Sequence, residues 1–154
     1  VFLKNLKGEG VSYQVAHGEG KFFTDNLSLN NIEKQKLVVF RYIDEKGNVT
    51  QKYPLNPNGS LNAIAGITDL SGRILGLMPH PERFVRIEQH PNWRRMQNLK
   101  PQGLPIFENM IDYIKKGGDK CRDRRRNCHN RKTKLKNQFL KVRVKLGDAC
   151  FRLN

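Results

Sequence analysis

The sequence predicts an α/β domain, and three observations carry that prediction. Short runs rich in β-branched and aromatic residues recur between turn-forming stretches, at residues 37–43, 63–67 and 74–78. A later stretch, residues 104–116, spaces Ile106, Phe107, Met110, Ile111 and Ile114 along one face of a helix. The 154 residues, 37% of them hydrophobic, suffice for one domain with its own core.

Taken in order, Val11-Ser12-Tyr13-Gln14-Val15-Ala16 reads as an extended segment. It runs into His17-Gly18-Glu19-Gly20, where two glycines flank a carboxylate, the pattern of a bend at which backbone passes close to something. Residues 24–35 are polar and allow a short helix started by Ser28. Residues 37–43 form a strand, Asp44-Glu45-Lys46-Gly47-Asn48 a turn, and residues 49–53 a second strand. Asn56-Pro57-Asn58-Gly59-Ser60 continues neither regular element and makes a structured turn. Asn56, Asn58 and Ser60 are expected to satisfy its backbone rather than bind substrate. Residues 63–67 and 74–78 are strands around the turn Asp69-Leu70-Ser71-Gly72, and the second hands the chain directly to His80. The terminal helix should cover the sheet, with Gly117-Gly118 stopping it.

A formal net charge of +15 suggests a nucleic-acid partner, but its distribution argues otherwise. Residues 1–114 carry 14 basic and 11 acidic side chains, whereas residues 115–154 carry 15 and 3. Residues 1–116 are therefore expected to be the folded body and residues 117–154 a basic, disordered or poorly packed tail. Within it Leu140, Val142, Val144 and Leu146 alternate with Lys141, Arg143 and Lys145, which permits a strand with no obvious partner. The abrupt change at Gly117-Gly118 is also what translation out of frame past a natural stop would produce. Removing residues 119–154 is then expected to leave thermal stability unchanged.

The rival reading is a nucleic-acid-binding module acting through this tail. Arg122, Arg124, Arg125, Arg126, Arg131, Lys132, Lys134 and Lys136 would meet phosphates. Only Phe139 and Phe151 offer rings for base stacking there, so nucleic acid is not the expected partner. Cys121, Cys128 and Cys150 cannot all pair and are absent from the body, which argues against a disulfide framework and for the cytoplasm. With His129 they lack the close ligand pairs of structural zinc sites, and no metal is expected. No apolar run is long enough to span a bilayer. From Val1-Phe2-Leu3-Lys4 no secretory leader is expected.

The chemistry-bearing stretch is Met78-Pro79-His80-Pro81-Glu82-Arg83. In an extended segment residues i and i+2 share a side, and Pro79 and Pro81 each fix a backbone angle. The carboxylate of Glu82 would set the tautomer of His80, whose other nitrogen would take a proton from a thiol or hydroxyl. The same spacing equally describes a His-Pro turn closed by a surface Glu–Arg pair, and the spacing alone favours that plainer reading.

Context changes the balance. The run Tyr53-Pro54-Leu55-Asn56-Pro57-Asn58-Gly59-Ser60, then Ile64-Ala65-Gly66-Ile67, Ser71-Gly72-Arg73 and Gly76-Leu77-Met78-Pro79-His80-Pro81-Glu82-Arg83 resembles the glutaminase part of the phosphoribosylformylglycinamidine synthase family. So do His17-Gly18-Glu19-Gly20 and Phe40-Arg41-Tyr42-Ile43-Asp44, and the resemblance extends over about residues 11–116. It implies a class I glutamine amidotransferase-like, flavodoxin-like sheet with flanking helices. It also implies glutamine hydrolysis, with His80 as catalytic base and Glu82 as the acid that orients it. The ammonia would pass to a synthetase subunit or domain, which holds ATP and magnesium and converts formylglycinamide ribonucleotide to the amidine. A small accessory subunit is a further implied partner, and no cofactor is expected in this chain.

The family's nucleophile is a Cys on a G-x-C-x-G elbow, and no such motif occurs here. The expectation is a chain lacking the N-terminal half of the domain and inactive alone. Cys121 lies among basic residues that would favour its thiolate, but charge alone builds neither elbow nor oxyanion hole. The resemblance places His17 and Glu19 near the active site without assigning either a chemical step.

Overall fold

The computed structural model describes residues 1–4, 6, 10–16, 20–117 and 140–144, the last group as backbone. Among the described residues five strands form one mixed sheet: β1 (Val11–Tyr13), β2 (Val38–Ile43), β3 (Ile64–Thr68), β4 (Leu75–Leu77) and β5 (Leu140–Val144). Their order is β1-β5-β2-β3-β4. β1 and β2 run parallel to β5 between them, while β3 and β4 continue antiparallel from β2. Among the described residues two α-helices accompany the sheet, α1 (Asn26–Lys34) and α2 (Leu104–Lys115).

β2 is the strand its composition predicts. Val38, Phe40 and Tyr42 alternate inward and are buried, and β-branched and aromatic side chains suit such a half-buried pleat. The core gathers Val11 and Tyr13 of β1, Phe40 and Tyr42 of β2, Ala63 and Ala65, and Ile106 of α2. Gly66 on β3 is required by close packing: a Cβ there would stand 2.9 Å from Leu77 Cδ1 and 3.0 Å from Phe40 Cδ2.

The β3–β4 hairpin forms around residues 69–72 as expected, because Asp69 caps the turn from within. Its carboxylate accepts from the backbone N–H groups of Ser71, Arg73 and Ile74 at 3.0, 2.9 and 2.9 Å. The Ser71 hydroxyl donates to it as well, and these bonds, with that hydroxyl foremost, hold the carboxyl well below the usual aspartate range. The turn at residues 56–60 is also built as expected. Buried Asn56 accepts from Ser60 N at 3.0 Å and donates to Ser60 O at 3.0 Å, and Ser60 Oγ accepts from Phe22 N at 3.1 Å.

Several expectations are corrected. The first helix is capped by Asp25, whose Oδ1 accepts from Ser28 N at 2.9 Å, so Ser28 lies inside the first turn. Residues 49–53 are not a strand: Ile43↔Val49 is an isolated bridge, and Val49 and Tyr53 are exposed, leaving no apolar face to bury. α2 stops at Gly117 (φ +85°) as expected, but it covers the sheet only through its first turns. Ile106 is 2% exposed, whereas Ile114, two turns on, is 72% exposed. Finally, residues 140–144, expected to lack a partner, pair with both β1 and β2, at Val11↔Val142 and Phe40↔Leu140. The alternating Leu-Lys-Val-Arg-Val run has the propensity for a strand, and the facing edges of β1 and β2 supply the ladder.

Candidate active site

The site is assembled where β4 ends. Met78 N still pairs with Ala65 O at 3.0 Å, and after buried Pro79 the His80 N–H donates to Gln14 O at 2.8 Å. Gln14 follows β1, and β1 and β4 are the outer strands among the described residues, so this bridge joins the segments leaving opposite sides of the sheet. Pro81 then opens a 3₁₀ turn, Pro81–Phe84, at the position where a missing N–H costs nothing. Phe84 is buried with its ring centroid 5.4 Å from that of His90.

This geometry brings the two predicted side chains together. His80 Nδ1 lies 2.7 Å from Glu82 Oε1. The pairing is reached differently from the sequence expectation, since Glu82 sits in the 3₁₀ turn rather than on an extended strand. Turning at Pro81 folds the carboxylate back toward a ring whose own backbone is extended (φ −100°, ψ 93°). The side chains are 32% and 56% exposed, so a reacting group can reach them. The described residues make no hydrogen bond to His80 Nε2. A carboxylate at Nδ1 favours the tautomer protonated there, which leaves Nε2 as a proton acceptor.

The turn is braced from three sides. Gly103 N donates to Phe84 O at 2.9 Å, and a Cβ on Gly103 would stand 1.8 Å from Pro81 O. Gln102 ties that brace to β1, its Oε1 accepting from Ser12 N at 2.7 Å and its backbone O accepting from the Tyr13 hydroxyl at 2.9 Å. Burial raises Tyr13 far above the ordinary tyrosine value and pushes Tyr42 up to about 12, so both rings stay neutral. The carboxamide of Gln89 accepts from Val85 N at 2.7 Å and from Arg86 N at 2.8 Å, and donates to Glu82 O at 3.2 Å. Sequence reasoning missed Gln14, Gln89, Gln102 and Gly103; each acts through backbone far along the chain or across a turn, and no residue pattern marks that.

The other residues singled out by sequence lie elsewhere. His17, Glu19, Cys121, Cys128, His129 and Cys150, and the basic blocks from Arg122 to Lys136, fall outside the described residues. Among the described residues no group of three or more His, Cys, Asp or Glu side chains could hold a metal. Nor is any described helix long and apolar enough to cross a membrane.

Residues 1–114 match the family profile of the CobB/CobQ-like glutamine amidotransferase domain. Among curated proteins, phosphoribosylformylglycinamidine synthase subunit PurQ of Methanococcus maripaludis (strain C5) is 41% identical over 128 residues, covering 75% of this chain and 47% of that protein. The same-named subunit of Methanosarcina mazei is 44% identical over 111 residues, covering 72% of this chain and 43% of its own length. Phosphoribosylformylglycinamidine synthase of Saccharomyces cerevisiae is 50% identical over 90 residues, which is 57% of this chain and 7% of that protein. The chain spans less than half the length of these relatives.

Proposed function

The chain belongs to the CobB/CobQ-like glutamine amidotransferase family, and on that premise we propose that it carries the general-base half of a glutaminase site. His80 is the base and Glu82 the acid that orients it. The ammonia released from glutamine serves the ATP-dependent conversion of formylglycinamide ribonucleotide to its amidine, in purine biosynthesis and in the cytoplasm. A synthetase component is the partner and holds ATP and magnesium; a small accessory subunit completes the assembly. One observation carries the reading: the 2.7 Å contact of His80 Nδ1 with Glu82, with Nε2 left for a reacting proton.

The nucleophile in this reading is a thiol supplied by another segment, because the chain's own cysteines, Cys121, Cys128 and Cys150, stand in the basic tail and form no elbow motif. His80 Nε2 takes the thiol proton, and the thiolate adds to the glutamine amide carbon. As the C–N bond breaks, the same proton passes from Nε2 to the leaving nitrogen, and ammonia departs from a thioester. Water then attacks the thioester while Nε2 accepts its proton; that proton returns to sulfur as glutamate leaves. The Glu82 carboxylate accepts a hydrogen bond from Nδ1–H throughout and stabilises the imidazolium.

The test is glutaminase activity of the chain with and without a segment bearing the G-x-C-x-G elbow. Activity that needs the added segment and falls by about 10²–10⁴-fold in His80→Ala is the expected result. Activity from the chain alone, or activity indifferent to His80→Ala, would overturn the assignment.

A further inference from the structure

Resting on that assignment, a second question concerns what keeps the ring and the carboxylate in register. Both side chains are partly exposed, at 32% and 56%, so water competes for their contact. The contact is then only as well defined as the backbone of residues 80–86. Two glutamines close a ring of hydrogen bonds around that backbone. The Gln14 carbonyl accepts from His80 N at 2.8 Å, and the Gln14 Nε2 donates to Gln89 O at 2.8 Å. The Gln89 carboxamide returns to the same turn with three bonds, to the N–H groups of Val85 and Arg86 and to the Glu82 carbonyl.

The orientation of this carboxamide is determined by its partners. Its oxygen faces two donors and its nitrogen faces an acceptor; the flipped amide would set NH₂ against two N–H groups. Gln14 thus grips His80 through its main chain and Gln89 through its side chain, while Gln89 grips Glu82. We infer that Gln89 and Gln14 are positioning residues for this pair, fixing the distance between imidazole and carboxylate and so the tautomer of His80. Neither touches the reacting atoms; both act through the turn.

The test reads the tautomer directly, from long-range imidazole proton–nitrogen NMR spectra of the 154-residue chain labelled with ¹⁵N. The variants are Gln89→Met, which keeps the bulk and removes the three bonds, and Gln89→Glu, which keeps the two accepting bonds. In the unmodified chain His80 is expected as a single tautomer protonated at Nδ1. Gln89→Met is expected to lose that state to a mixture, and Gln89→Glu to restore most of it. A folded Gln89→Met chain that keeps the single tautomer overturns the inference, whatever its melting temperature. Should that variant not fold, Gln14→Met is read by the same criterion. Glu82→Leu, which leaves no acceptor facing Nδ1, separates the orienting role from the positioning role. A tautomer that survives Glu82→Leu removes the orienting role of Glu82 and this inference with it. One that is lost in Glu82→Leu but kept in Gln89→Met sinks the positioning role alone.

Discussion

Replacing Gly103 by Ala tests how tightly the 3₁₀ turn Pro81–Phe84 is braced. Gly103 has φ −79° and ψ −30°, ordinary right-handed values, so an alanine there is not strained in its own backbone. By restricting the unfolded chain it would even stabilise by about 0.5–1 kcal/mol. Space is the obstacle. The new Cβ would stand 1.8 Å from Pro81 O, 2.7 Å from Pro81 C and 3.0 Å from Phe84 O. A carbon–oxygen contact settles near about 3.3 Å, so turn and helix start must separate by roughly 1.5 Å.

All three obstructing atoms are main chain, so no flexible side chain can yield, and the 2.9 Å bond from Gly103 N to Phe84 O is stretched or lost. Overpacking of this kind costs about 3 kcal/mol and the lost bond about 1. Net of the favourable term, a destabilisation of about 3 kcal/mol is expected, lowering the melting temperature by on the order of 10 °C. Calorimetry measures this, and the His80 imidazole signals report whether the turn moves with it. Gly59→Ala is the control: nothing lies within 4 Å of its Cβ, but φ is +63°, so its cost of about 1–2 kcal/mol arises in its own backbone. A Gly103→Ala chain that melts within about 2 °C of the original, its His80 signals unshifted, would refute the reasoning.

Asn56→Ala should destabilise by about 2–4 kcal/mol in urea titrations, since it leaves the Ser60 N–H and C=O buried without their present side-chain partner; a loss under about 1 kcal/mol would show that water replaces the carboxamide. Asp25, Asp44 and Asp69 have carboxyls held below the ordinary aspartate value, Asp25 and Asp69 chiefly by side-chain hydrogen bonds from Ser28 and Ser71, Asp44 chiefly by the backbone N–H of Asn48. Their contribution is therefore present above the unfolded pKa of about 3.9 and lost as pH falls through the lower folded values. The urea midpoint should accordingly drop between pH 5 and pH 2.5, less so in Asp69→Asn; equal drops in both chains would dismiss the Asp69 share. Removing residues 119–154 takes away β5 from between β1 and β2 and should lower the melting temperature, whereas an unchanged transition would mean that β5 adds nothing to the sheet's stability.

Local chemistry was legible in the sequence. β2 follows from the alternation of β-branched and aromatic residues, the hairpin turn from Asp69 and Gly72, the stop of α2 from Gly117, and the His80–Glu82 pair from two residues separated by a proline. Each depends on neighbours within a few positions, where spacing decides which groups meet. Even here the Asp25 cap and the exposed residues 49–53 escaped, because caps compete and a strand needs a face to bury.

What only the tertiary structure decided involves groups far apart along the chain. Gln14 reaches Gln89 across 75 positions and Ser12 reaches Gln102 across 90, contacts that no pattern of residue types announces. Gly103 is glycine because Pro81 passes over it, not because its own backbone demands it. β5 lies between β1 and β2 and pairs with both, and α2 buries Ile106 in the core while Ile114 stays exposed. The sequence by itself determined that a histidine and a glutamate would be neighbours. The packing of distant backbone decided how firmly, since the angle between two partly exposed side chains is set by whatever holds the main chain that carries them.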